Sequence, residues 1–159
     1  MTQSLRVALR PDVPHRSPFV ELRQSLASRT ADISPFVDRL MQFLKPFLGE
    51  FRNADGSDLD IEIAVREAIA NAMIHGNCEN PQKHVDVVCR FSMGGEVAIT
   101  VRDQGHGFDH RALPDPTGPD NLLLTHGRGI RLMQALMDEV EFAEDGTVVR
   151  MRKRLRLPG

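Results

Sequence analysis

Apolar and polar positions alternate in two short stretches near the start of the chain. Residues 4–9 put Leu5, Val7 and Leu9 on one side, and residues 20–27 do the same through Val20, Leu22 and Leu26. A period of two belongs to a strand with one covered face, so either stretch is a candidate first strand, with the Pro-containing segment 11–18 between them. The period then lengthens. Phe36, Val37, Leu40, Met41, Phe43, Leu44 and Phe47 recur at helical spacing behind Ser34-Pro35, which reads as an N-cap followed by proline at the first helical position. Pro46 has no N–H to give and is expected to bend or shorten that helix. NADGSD (53–58) is a turn, and Asp58 or Asp60 would cap a second helix running to about Gly76.

The second half is richer in strands. HVDVVCRFS (84–92) and EVAITVR (96–102) alternate cleanly and predict an antiparallel hairpin turning at Gly94-Gly95. A glycine-rich loop (103–109) leads into a Pro-rich segment, 111–126, expected to be irregular. A third helix is predicted from about Gly129, carrying Ile130, Leu132, Met133, Leu136 and Met137. Two strands around 140–144 and 147–156, turning at Asp145-Gly146, close the chain. Helices and strands in this order predict an α+β fold, a two-layer sandwich with an antiparallel or mixed sheet covered on one face by about three helices.

Composition narrows the function. At 159 residues, with 41% hydrophobic and 26% charged, the chain is the size and make-up of one globular domain. Lys and Arg number 20 against 22 Asp and Glu, a formal net charge of −2, which removes the bulk attraction that non-specific nucleic-acid binding depends on. No apolar stretch approaches the ~18 residues of a membrane span. The first residues, MTQSLRVALRPDVPHR, lack the apolar core of a signal peptide, and Cys78 and Cys89 show neither CxxC nor zinc spacing. The expected location is the cytoplasm, with neither nucleic acid nor membrane as a direct partner. In the final strand Arg150, Arg152, Arg154 and Arg156 alternate with apolar residues, as on the outward face of a half-buried strand, with use as a docking face for an acidic partner as the secondary reading.

Three segments carry candidate chemistry. In the second helix Glu67, Asn71 and His75 fall four apart, forming a polar stripe beside the apolar face of Ile61, Val65, Ala68, Ile69 and Ala72. A solvated helix surface would look the same. Yet Asn is a mediocre helix former, and here it stands between alanines that let a ligand approach. A carboxylate and an amide oxygen one turn apart can pair a general base with a ligand for a hard cation. The second segment, Asp103-Gln104-Gly105-His106-Gly107, follows an apolar strand. A carboxylate there can accept from the exocyclic amine of adenine and would reject guanine, which has an acceptor at that position. A plain turn after a strand is the alternative. The third, Gly127-Arg128-Gly129-Ile130, would open the third helix with free N–H groups suited to phosphate, Arg128 adding charge. No Walker A motif occurs anywhere.

In this order and spacing, Glu67-x-x-x-Asn71-Ala72, Asp103-x-Gly105-x-Gly107, Gly127-x-Gly129-Ile130 and Gly146-Thr147 resemble the sequence boxes of the GHKL ATPases, the superfamily of gyrase, histidine kinases and MutL. EAIANAMIHGN and GRGIRLMQALMDEVEF resemble more closely the small anti-sigma factor serine kinases of the RsbW and SpoIIAB type. The resemblance covers roughly residues 20–155. It implies the Bergerat fold, with ATP between helices and sheet under a lid, here the short, proline-bearing segment 110–127. It further implies that Asp103 holds the adenine amine with Thr147 assisting through water, that Asn71 ligates Mg²⁺, that Glu67 is the base, and that the glycine boxes with Arg128 and Ile130 complete the nucleotide site. His75 is expected to serve a structural hydrogen bond.

The implied activity is ATP-dependent phosphorylation of a serine or threonine on a STAS-domain anti-sigma factor antagonist. An RNA polymerase sigma factor would be the second partner of a homodimeric kinase, with Phe36, Val37 and the other apolar residues of the first helix belonging either to the dimer contact or wholly to the core. The alternative is an ATP-binding regulatory module that sequesters a partner without phosphoryl transfer. Residues 1–19 stand outside the resemblance with no role assigned, and 20–159 are expected to form a single kinase domain.

Overall fold

The computed structural model describes residues 4–8, 18–49, 51, 56–107 and 125–156. In chain order the elements are β1 (Ser4–Ala8), β2 (Phe19–Ala27), α1 (Ile33–Leu48), α2 (Ser57–Asn71), β3 (His84–Ser92), β4 (Glu96–Arg102), α3 (Thr125–Leu136), β5 (Glu139–Ala143) and β6 (Val148–Arg154). The strands form one sheet in the order β1-β2-β3-β4-β6-β5, and all five pairings are antiparallel. The mixed alternative therefore falls away. The crossover through α3 brings β5 back in the direction of β4, and β6 lies between them, so no two parallel strands are neighbours.

Both alternating stretches at the start are strands, rather than one or the other, with β1 paired to β2 at the sheet edge. Strict alternation in β3 and β4 buries Val85, Val87, Cys89 and Phe91 beside Val97, Ile99 and Val101. Phe36, Val37, Leu40 and Leu44 of α1, Ile61, Val65 and Ile69 of α2, and Ile130 and Met133 of α3 complete this core. Burial pushes the Cys89 thiol up to about 12, so it behaves as a small apolar core residue.

Helix starts differ from the sequence expectation in each case. A short 3₁₀ turn (Thr30–Asp32) precedes α1, which makes Asp32 its N-cap; Ser34 lies one residue inside, its Oγ accepting from Arg66 Nη1 at 2.7 Å. Pro35 falls in the first turn, where its missing N–H is not needed. Pro46 lets α1 run only two residues further. The cap of α2 is Gly56 at φ +78°, a left-handed conformation that favours glycine over aspartate, while Asp58 and Asp60 occupy the first turn and face the positive end of the helix dipole. The third helix begins at Thr125, four residues before the expected Gly129. The segment 111–124 lies outside the described residues.

Lys153 ties the layers together at one end, its Nζ donating to Asp60 Oδ2 at 2.9 Å and to the Leu136 carbonyl at 2.6 Å. On the other sheet face the charges are matched. Arg150 pairs with Glu141, Arg152 with Glu139, and Arg154 with Glu139 and Glu96, all across neighbouring strands. Three of the four arginines expected to offer an acidic partner a free cationic face thus already meet carboxylates.

Glu21, only 4% exposed, is bonded by both Arg23 and Arg90. Burial alone would raise its carboxyl, but the two guanidiniums outweigh that and hold it below the ordinary carboxylate value. A lowered folded-state value means stability present above the unfolded value and lost as pH falls through the folded one. Glu21→Gln should therefore cost about 1–3 kcal/mol at neutral pH. Urea melts of both proteins at pH 7 and below about pH 4 check this. The gap should shrink in acid, and a gap independent of pH would show that the charge is not what stabilises.

Candidate functional site

The second helix sets one wall. Its apolar positions lie on the sheet, which leaves Glu67 and Asn71, one turn apart and half-buried, directed at α3. The contact falls on Gly129. A Cβ there would lie 2.8 Å from Glu67 Oε2 and 3.3 and 3.5 Å from the Asn71 amide nitrogen and oxygen. The missing side chain is thus what allows a carboxylate and an amide to reach the α3 backbone. Because α3 starts early, Gly127 lies in its first turn and Gly129 in its second, so Gly129 supplies closeness rather than a free helix-end N–H. Arg128 is exposed beside it, and Ile130, 4% exposed, turns into the core.

Past Asn71 the helix widens into one π turn, Ala72–Gly76, closed by the Asn77 N–H donating to the Ala72 carbonyl at 2.8 Å. This wider turn carries His75, which is half-buried. It also delivers Gly76 to the end of β4. A Cβ on Gly76 would collide with the Asp103 carboxylate, and one on Gly105 would collide with the Gly76 carbonyl. The second helix and the glycine loop touch backbone to backbone.

Asp103 is half-buried at this junction. Its N–H donates to the Thr147 carbonyl at 2.9 Å, and its Oδ1 accepts from the Gly105 N–H at 2.7 Å. Burial pushes its carboxyl above the usual aspartate value, opposed by that N–H and by the charge of Lys83. Gly107, at φ +79°, packs on the backbone of Asp145. Thr147 Oγ1 donates to the Glu144 carbonyl at 2.8 Å. A narrow cleft joins Asn71, Asp103 and Thr147, walled by Ala68, Ala72, Val101, Met133, Phe142 and Val149. It is narrow, about 20 Å³, with apolar walls, one carboxylate and one amide.

Larger concavities lie elsewhere, one of about 680 Å³ on the outer sheet face and one of about 470 Å³ between α1 and α2. Neither gathers the candidate residues, so size is a poor guide here. Among the described residues no three His, Cys, Asp or Glu side chains cluster as a metal cage. Sequence reasoning gave Lys83, Gly76 and Asn77 no part in the site. Only the glycine carried a signal, as the small residue after His75 at the helix end.

The Histidine kinase-like ATPase domain model matches residues 28–153, most of the chain and all of the site just described. The chain belongs to this family. Among its relatives is an anti-sigma F factor of Heyndrickxia coagulans, 39% identical over 103 residues, which are 60% of this chain and 69% of the relative. A serine-protein kinase RsbW of Staphylococcus epidermidis is 34% identical over 118 residues, 68% of this chain and 74% of the relative. Within the histidine kinase-like ATPases the chain is thus of the RsbW and SpoIIAB type. The fold is shared with the RsbU and RsbW domains of a Mycobacterium tuberculosis protein (TM-score 0.61, 19% identity), matching 89% of this chain and 35% of that one. It is shared also with a blue-light activated histidine kinase of Erythrobacter litoralis, at a TM-score of 0.50 and 16% identity over 77% of this chain and 61% of that one.

Two glycine substitutions separate the contacts that hold this family's site together here. Gly105→Ala sets a methyl against backbone, which cannot rotate away, and should cost about 1–3 kcal/mol in urea denaturation. Gly129→Ala meets only the movable ends of Glu67 and Asn71 and gains helix propensity, so its stability should stay within about 1 kcal/mol of the parent. Equal stabilities for the two variants would mean that the glycine loop does not rest on Gly76.

Proposed function

We propose that this chain is an ATP-dependent protein serine/threonine kinase that acts as an anti-sigma regulatory factor in a partner-switching pathway. Its acceptor is a serine or threonine of a STAS-domain antagonist, and its other partner is a sigma factor, bound by a homodimer in the cytoplasm. The observation that carries the reading is the convergence of Glu67 and Asn71 on Gly129, with Asn71 and Asp103 lining one narrow cleft. The names of the relatives favour the kinase over a module that only sequesters its partner.

Each residue has a task that its position supports. Asp103 accepts from the adenine amine, and the apolar walls take the faces of the base. The first turn of α3, which contains Gly127, presents free N–H groups to phosphate, with the Arg128 charge beside them. The site fits a hard cation. Asn71 offers one amide oxygen in the space Gly129 leaves open, and Mg²⁺ bound to nucleotide takes only one or two protein oxygens. Mg²⁺ would neutralise phosphate charge there. Glu67 orients the acceptor hydroxyl and takes its proton as the oxygen bonds to the γ-phosphorus and the bond to the β–γ bridging oxygen breaks, releasing ADP. Phosphoryl transfer asks mainly for alignment and charge neutralisation, so this small set suffices.

Transfer of labelled γ-phosphate to a STAS antagonist tests the reading. Glu67→Ala should lower transfer by at least about 10²-fold while ATP still binds. Transfer unchanged in that variant would remove Glu67 as the base, and no transfer by the parent protein would favour sequestration alone. Calorimetry adds a pH signature. Because the Asp103 value is raised, ATP affinity should fall on acidification sooner than an ordinary aspartate would allow, as protonation removes the acceptor charge. Asp103→Asn should bind ATP more weakly and lose that pH dependence.

A further inference from the structure

Asn77, just past the π turn, is wholly buried. Its side-chain amide makes three hydrogen bonds to three separate segments. Nδ2 donates to Ser28 Oγ at 2.7 Å and to the His84 carbonyl at 2.9 Å, and Oδ1 accepts from the Gln104 N–H at 2.7 Å. Gln104 answers by accepting from the His84 N–H through its own Oε1 at 2.7 Å. Only an amide gives two donors and an acceptor from one small planar group, so neither Asp, Ser nor an apolar residue makes this set.

The third of these bonds bears on the site. The peptide before Asp103 is held by the Thr147 carbonyl and the peptide after it by Asn77 Oδ1. The backbone of Asp103 is thereby clamped on both sides. Its carboxylate has one short bond of its own, to the Gly105 N–H two residues on, which moves with the same loop. The placement of that carboxylate relative to the cleft therefore depends on the two clamps.

We propose that Asn77 is a positioning residue for 6-amino-purine recognition: its buried amide fixes the Gln104 N–H and so holds the Asp103 carboxylate where it meets the exocyclic amine. This rests on the reading above that Asp103 recognises adenine. Asn77 touches no nucleotide. Its effect is specific to the amine, whereas a merely structural residue would change all nucleotides alike.

The test compares ATP with purine riboside triphosphate, which lacks the 6-amino group, by calorimetry on folded protein. The parent should prefer ATP by about tenfold or more, the worth of one hydrogen bond to a charged group. In Asn77→Ala the affinity for ATP should drop toward that for the purine analogue, which itself stays unchanged. Ser28→Ala removes one anchor of the amide far from the nucleotide and should give an intermediate preference, a second reading if Asn77→Ala does not fold. Accelerated hydrogen exchange at the Gln104 N–H should accompany each loss. Preference intact in Asn77→Ala or in Ser28→Ala would overturn the proposal, as would an equal loss for both nucleotides. No preference in the parent would bring down the adenine reading itself, an outcome distinct from failure at Asn77 alone.

Discussion

The seating of α2 on the sheet is the constraint on which the rest depends. Ile61, Ala64, Val65, Ala68 and Ile69 are buried to within 1% along one side of it. Burying a residue such as Ile or Val is worth about 1.5–3 kcal/mol, so the helix is fixed in roll as well as in place. Glu67 and Asn71 inherit that precision. Small residues at 64, 68 and 72 bring the helix axis close to the sheet, which in turn brings the glycine loop after β4 within reach of Gly76. A larger residue at any of them would lift the helix and separate the two halves of the site together.

The π turn converts that rigid helix into a bridge. An ordinary α turn would carry residues 72–76 straight on, whereas the wider turn drops Gly76 onto Asp103 and sends Asn77 into the interior. The chain leaves it through Cys78 and Glu79, both at φ +53°, a conformation that L side chains adopt reluctantly. Such strain persists only where surrounding contacts over-determine it. Here the three bonds of Asn77 and the Glu79 N–H to the Met73 carbonyl do so. One end of the site is thus mechanically joined to the other through five residues.

What the sequence made legible follows from what a one-dimensional pattern can hold. Residues 84–92 and 96–102 were read to their ends because each alternates strictly between a buried and an outward face, and the four motif segments were found because they are local. Helix starts were misread. Ser34, Asp58 and Gly129 all look like starting signals, yet Asp32, Gly56 and Thr125 mark the real starts, since a cap is decided by backbone conformation and not by side-chain type alone. The contacts that define the site were out of reach for a different reason. Gly129 against Glu67, Gly105 against Gly76 and Asn77 against Gln104 pair residues 27 to 62 positions apart, or join elements whose relative placement only the packed core decides.

The outer sheet face shows why counting charges along one strand misleads. The arginines of β6 form a basic stripe in sequence, but antiparallel pairing sets β5 and β4 beside it, and their Glu139, Glu141 and Glu96 meet it residue for residue. Glu21 does the same for Arg23 and Arg90. Exposed pairs of this kind add only about 0–1 kcal/mol each to stability. Their larger consequence is electrical. A face neutralised at short range has little field a Debye length away, so it neither steers an acidic protein nor repels one. An acidic partner would have to displace glutamates already in place, exchanging one carboxylate for another at little net gain. Any partner of this face must therefore be chosen by shape and by its hydrogen bonds, and that choice should respond weakly to salt.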